Sequence, residues 1–206
     1  MVMAGRASVE AALLTRRNVL EAAADLASVE GLDSVTIGRL AEMLDMSKSG
    51  VIGQFRTKEA LQLETVDLVF ASFRTRVWDK VKRLPPGLPR LLAACEAWVK
   101  YAANPGYPGG CLLTQVTYDY DARTGLVHER LVEGRQLWRD ALRTDIELAV
   151  DSGDLPAGTD VQAAIFGLES LAAFVTPARL LHGDKRAVER ALAGMRRILG
   201  VAPVAS

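Results

Sequence analysis

Apolar side chains recur at spacings of three and four along almost the whole chain, and no strict alternation runs beyond three or four residues. A helix repeats every 3.6 residues and a strand every 2, so the pattern predicts an all-α protein. Half of the 206 residues are hydrophobic, enough for a packed core and too many for a disordered chain. That length suits one large domain or two small ones. Basic and acidic side chains, 25 of each, cancel. No chain-wide field of one sign therefore identifies a partner, and a polyanion has to be met by a local patch. Cys95 and Cys111 are too few for a disulfide framework and fit a reducing compartment, the cytoplasm, with a single bridge left open.

Residues 1–14 are alanine-rich, carry Arg6 and Glu10, and lack the long apolar stretch of a signal peptide, so they read as a mobile or weakly helical leader. From Thr15 the positions Val19, Ala23, Leu26 and Val29 mark a helix that stops at Gly31. Thr36 can cap a second helix with Ile37, Leu40, Ala41 and Leu44 on its inner face. Ser47 can cap a third that ends near Phe55 with Val51 and Phe55 inward. A long helix follows toward Leu84, closed by Pro85, Pro86, Gly87 and Pro89. Another carries Leu91, Cys95, Trp98 and Ala102 up to the turn 104–110. Further helices are expected over Cys111 to Tyr118, Val127 to Ala149, Val161 to Leu181 and Val188 to Leu199, about nine in all. The organisation expected is a leader (1–14), a three-helix unit (15–60) and a larger helical domain (61–206).

Thr36 to Phe55 has the size and pattern of a helix-turn-helix, whose second helix lies in the DNA major groove. Its outer side carries Lys48, Ser49, Ile52, Gly53 and Gln54. Arg16, Arg17, Arg56 and Lys58 add cations around it, and Thr36, Ser47 and Thr57 place hydroxyls beside helix N-termini that favour phosphate. No acidic residue falls between Ser47 and Lys58. Gly50 and Gly53 within so short a helix cost about 1 kcal/mol each relative to alanine. Close approach of the helix backbone to DNA would offset that cost, and so would tight packing against the first helix.

The run from Gly31 to Leu61, with the Thr36 start, the Ser47-Lys48 entry, and Phe55 followed by Lys58, Glu59 and Leu61, resembles the DNA-binding domain of the TetR family of transcriptional regulators. Gly109-Gly110-Cys111 also resembles a turn found in some members. The resemblance implies a dimer that reads a palindromic operator, and a variable helical domain that binds a small molecule. Position by position it implies phosphate contacts from Thr36, Ser47 and Lys58, with Lys48, Ser49, Gly50 and Gln54 at or near base edges. Ile52 and Gly53 stand where many members have an aromatic residue followed by histidine. Base readout is therefore expected to rest on few side chains, with Gln54 suited to adenine and Arg56 or Lys48 to guanine or phosphate.

For the effector, Trp98, Tyr101, Cys111, Gln115, Tyr118, Trp138, Phe166 and Glu169 are candidate lining, which suggests an uncharged, largely hydrophobic ligand. The stretch 161–181 has the length of a membrane span, but Gln162, Glu169, Pro177 and Arg179 favour a helix buried in protein. Being apolar nearly all round, it is expected to pair with the last helix across a two-fold axis in a homodimer. Neither Cys95 and Cys111 nor His128 and His182 stand at metal-ligand spacing, and no phosphate loop or nucleophile elbow is present, so neither metal, cofactor nor catalysis is expected. The competing readings are a helical adaptor that does not bind DNA and a thiol redox sensor using Cys111, which the two preceding glycines are expected to leave accessible.

Overall fold

The computed structural model describes residues 2–202, and all regular structure among them is helical. Helix α1 spans Val2–Glu30, so the helix expected from Thr15 begins thirteen residues earlier. The alanine-rich stretch favours helix, and Gly5 alone does not break it. Residue 1 of the expected leader lies outside the described residues. There follow a 3₁₀ turn (Leu32–Ser34), α2 (Ile37–Met43), α3 (Lys48–Phe55) and α4 (Lys58–Phe73), with a π-helical turn at Arg74–Trp78 leading into α5 (Asp79–Val81). The rest is α6 (Leu88–Ala103), α7 (Leu112–Tyr120), α8 (Leu126–Asp151), α9 (Val161–Leu180) and α10 (Ala187–Ile198). With α4, the π turn and α5 taken as one rod, these are nine helices among the described residues.

The chain divides into two compact units, residues 1–70 with 107–131, and residues 71–106 with 132–206. Residues 58–70 of α4 and the whole of α7 group with the helix-turn-helix, beyond the boundary at residue 60 that the sequence pattern suggests.

In the first unit Val19, Ala23, Leu32, Leu40, Val51, Phe55, Leu61, Leu112 and Val116 are buried. Val29, expected on the inner face of α1, is exposed. The turn after α1 is clamped from two sides. Gln62 Nε2 donates to the Leu32 carbonyl at 2.8 Å and Lys58 Nζ to that of Asp33 at 2.9 Å. From the end of α7, Tyr120 Oη donates to Asp33 Oδ1 at 3.2 Å, and Arg123 in the turn after it donates to Oδ2 at 2.7 Å. The Arg123 hydrogen bond holds the Asp33 carboxyl below its usual range. Burial first, and then Asp33, pushes the Tyr120 phenol up to about 12.

The second unit is a bundle in which α6, α9 and α10 pack on one another. Its buried residues include Leu91, Trp98, Leu142, Ile146, Ile165, Leu168, Met195 and Leu199. Small residues let α9 and α10 approach closely: a Cβ on Gly167 would lie 2.7 Å from Ile198 Cδ1, and one on Gly194 2.9 Å from Leu171 Cδ1. Helix α9 is long and apolar enough to cross a membrane by length and composition. Its one carboxylate, Glu169, is paired with Arg135 and Arg139 of α8, as fits a packed core helix.

Candidate nucleic-acid interface

Helices α2 and α3 are each started by the hydroxyl that the sequence marks. Thr36 Oγ1 accepts the Arg39 N–H at 3.2 Å, and Ser47 Oγ accepts that of Gly50 at 3.1 Å. Ser49 Oγ lies 3.0 Å from Ser47 Oγ, so two hydroxyls sit together at the N-terminus of α3. Val51 and Phe55 anchor the inner face of α3 and are essentially inaccessible. These contacts fix the rotation of α3 and leave Lys48, Ser49, Ile52, Gly53 and Arg56 exposed on the other side. Gln54 is half-buried at the edge of that face.

The two glycines of α3 differ. A Cβ on Gly50 would sit 3.2 Å from Ser47 Oγ, inside the protein's own cap. A Cβ on Gly53 would meet nothing within 4 Å. Packing against α1 therefore does not account for Gly53, and its helix cost is offset by nothing within the described residues. Arg56 ends α3 at a φ of +61°, in the half of the map that favours glycine, yet the position keeps a guanidinium in solvent beside the helix. We expect Gly53→Ala to stabilise the fold by about 0.5–1 kcal/mol in urea unfolding, while weakening duplex binding at least severalfold in a gel shift. A variant equally stable and equally tight would show that nothing approaches that face.

The cations differ in availability. The Arg16 guanidinium donates to the Gln54 carbonyl and to both oxygens of Glu64, and lies 4.4 Å above the Phe55 ring. It ties α1 to the end of α3 and to α4, so it positions the recognition helix and is not the free phosphate-binding cation that its place in the sequence suggested. Arg17 is exposed and pairs with Glu21 at 2.7 Å. The Lys58 ammonium is exposed but donates to the Asp33 carbonyl. Lys48 lies along Gly38, where a Cβ would be in ordinary contact 3.5 Å from Lys48 Cε.

The candidate effector residues fall in both units. In the first, Cys111 and Gln115 belong to the start of α7, with Cys111 buried and Gln115 half-buried, and Tyr118 is 65% exposed. The burial of Cys111 corrects the expectation that it is accessible, and removes the exposure an oxidant sensor needs. In the second unit, Trp138 meets Trp98 edge-on at 5.3 Å, Phe73 at 5.1 Å and Trp78 at 6.5 Å, while Tyr101 meets Phe73 at 5.3 Å. Phe73 and Trp78 were not singled out from the sequence. The Trp138 indole N–H is buried and has no hydrogen-bond partner among the described residues. Arg76 caps the cluster, donating to the Asn104 and Pro105 carbonyls with its guanidinium 5.0 Å from the Tyr101 ring. Glu169 is taken up by its two arginines, and Phe166 is 70% exposed on α9. The Cys95 thiol is buried, and burial pushes it up to about 12, far from the thiolate that reactivity needs. Among the described residues no group of three or more His, Cys, Asp or Glu is placed to hold a metal.

A capped two-helix corner with a cationic outer face, followed by a separate helical bundle, defines a DNA-binding transcriptional regulator. Residues 19–65 match the family model described as bacterial regulatory proteins of the tetR family, and residues 87–195 match the tetracyclin repressor-like C-terminal domain. The chain belongs to the TetR family. No curated protein matches it in sequence. Its fold is similar to that of a TetR transcriptional regulator from Chloroflexus aurantiacus, with 19% identity, TM-score 0.82, and 93% of this chain and 96% of that one covered. It is similar also to a TetR-family regulator from Streptomyces coelicolor, with 23% identity, TM-score 0.73, and 94% of each chain covered. A third similar structure is AibR in complex with isovaleryl coenzyme A and operator DNA, with 17% identity, TM-score 0.74, and 91% of this chain and 99% of that one covered.

Proposed function

We propose that the chain is a cytoplasmic, non-enzymatic repressor that binds a palindromic operator as a homodimer and is released by a small, largely apolar ligand. The exposed face of α3 carries this reading: Lys48 and Arg56 at its ends, Gly53 with open space where a side chain would be, and the hydroxyls of Ser47 and Ser49 at its N-terminus. Ser49, Gly50, Ile52, Gly53 and Gln54 face base edges, and Thr36, Ser47, Lys48, Arg17, Arg56 and Lys58 lie on phosphates. Pairing through α9 and α10 is supported by large apolar side chains exposed on this single chain, Phe166, Phe174, Leu181 and Ile198. An effector in the second unit is supported by the Trp98, Tyr101 and Trp138 cluster and by the indole N–H of Trp138, a buried donor that a ligand acceptor would satisfy. AibR, crystallised with both operator DNA and an acyl thioester, gives a precedent for the two activities on one such fold.

Selection from random duplex DNA tests the reading. The bound fragments are expected to be inverted repeats with half-site centres a helical turn apart, roughly 34 Å, or multiples of it. Affinity should fall steeply with salt, and Lys48→Ala should reduce the slope of log affinity against log salt by about one per half-site. A selection that converges on no sequence, or a titration insensitive to salt, would remove it.

A further inference from the structure

The outer face of α3 contains one side chain that neither a solvated helix nor a phosphate-binding surface calls for. Ile52 is 47% exposed. It stands one turn after Lys48 and four residues before Arg56, the exposed residue at which α3 ends, so cations bracket it at both ends of the helix. Val51 and Phe55 are the α3 side chains that fill the core, and Ile52, on the flank beside them, is left about half exposed. It also lowers helix propensity beside Gly53, which lowers it further. The open space at Gly53 lets a partner surface come down to the helix backbone beside the isoleucine side chain.

We propose that Ile52 is a specificity-determining residue that reads a thymine through its 5-methyl group. Among the base edges in the major groove the thymine methyl is the only apolar feature, so a side chain with no donor or acceptor can distinguish it and nothing else. The flanking cations supply the complementarity that selects duplex DNA as the occupant: Lys48 and Arg56 reach the backbone on either side while the apolar centre meets the groove floor. The proposal rests on the DNA-binding reading and adds the chemistry of one base position.

The test uses the operator selected as above, the intact protein, and a set of duplexes in which each thymine in turn is replaced by deoxyuridine. Pairing and every hydrogen-bonding group are kept, and the methyl alone is removed. Wild-type protein is expected to lose about fourfold in affinity per half-site at one symmetry-related pair of thymines, about fifteenfold when both are changed. Ile52→Ala should bind the thymine operator correspondingly more weakly and be indifferent to uracil at that pair. It should keep the wild-type sensitivity at any other thymine and the wild-type salt slope, which a lost phosphate contact or a damaged fold would change. The inference is overturned if no thymine-to-uracil change affects the wild type, or if Ile52→Ala keeps the full methyl dependence at every position. Failure to select any operator would instead overturn the DNA-binding reading itself, and this inference with it.

Discussion

Replacing Asp145 by alanine is expected to destabilise the second unit by about 3–5 kcal/mol, the range for removing one partner of a buried ion pair. Asp145 is 2% exposed on the inner face of α8. Its Oδ1 accepts the Gly87 N–H at 2.9 Å and the Arg90 Nη2 at 2.8 Å, and its Oδ2 accepts the Arg90 Nε at 2.9 Å. The carboxylate therefore holds the first turn of α6 at two points, and the Arg90 guanidinium also lies 5.4 Å from the Trp78 ring. Without the carboxylate a largely buried guanidinium and a buried amide lose their acceptor together. Asp145→Asn keeps an acceptor for Gly87 and should lose less. A double replacement of Asp145 and Arg90 by apolar residues of similar volume should recover much of the loss, because no charge is then left buried and unpaired. All three tryptophans, Trp78, Trp98 and Trp138, lie in this unit, so the midpoint of urea unfolding followed by tryptophan fluorescence reports on it directly. A loss below 1 kcal/mol for Asp145→Ala would show that the pair is solvated and that α6 is held by its apolar face alone.

Helices α2 and α3, their caps at Thr36 and Ser47, and the inward turn of Val51 and Phe55 are local consequences of spacing and hydroxyl placement, and they stand in the structure where the pattern puts them. The outer face of α3 follows by subtraction. Partners distant in sequence leave no such mark. Nothing in the run around Arg16 shows that Glu64 will neutralise it, nor does the run around Glu169 reveal Arg135 and Arg139. By sequence both are groups open to a partner, and in the fold both are paired within the chain. Two glycines before Cys111 suggest an accessible thiol, but Gly109 seats the turn against α1 and Cys111 is buried. The aromatic cluster was half visible for a geometric reason. At 100° per residue, positions 73 and 78 face different ways, so helical spacing groups neither with Trp138. The π turn at Arg74–Trp78 brings residues five apart onto one side, and both rings reach Trp138.

Gly109→Ala should be the most damaging small substitution in the first unit. An added Cβ would lie 1.7 Å from the Ser28 carbonyl oxygen and 2.2 Å from its carbon, atoms of the α1 backbone that cannot swing aside as a side chain would. The Gly109 N–H also donates to Ser28 Oγ at 3.0 Å, and that hydroxyl donates in turn to the Asp25 carbonyl at 2.7 Å, so the turn is both pressed onto α1 and bonded to it. Relief of the overlap means lifting the turn, which takes with it the start of α7 and the buried side chains of Leu112 and Val116. The cost is set at about 3 kcal/mol or more, at or above the upper end for overpacking, because backbone meets backbone. With no tryptophan in this unit, the loss should appear as an early transition in helical circular dichroism while tryptophan fluorescence keeps its wild-type midpoint. Operator affinity should fall as well, since α7 holds Asp33 in the turn that leads from α1 into the helix-turn-helix. Gly53→Ala supplies the control: the same added methyl, in the same unit, meets empty space and should act in the opposite direction on stability. If Gly109→Ala unfolds at the wild-type midpoint by both probes, the close seat of the turn on α1 is not what holds α7 in place.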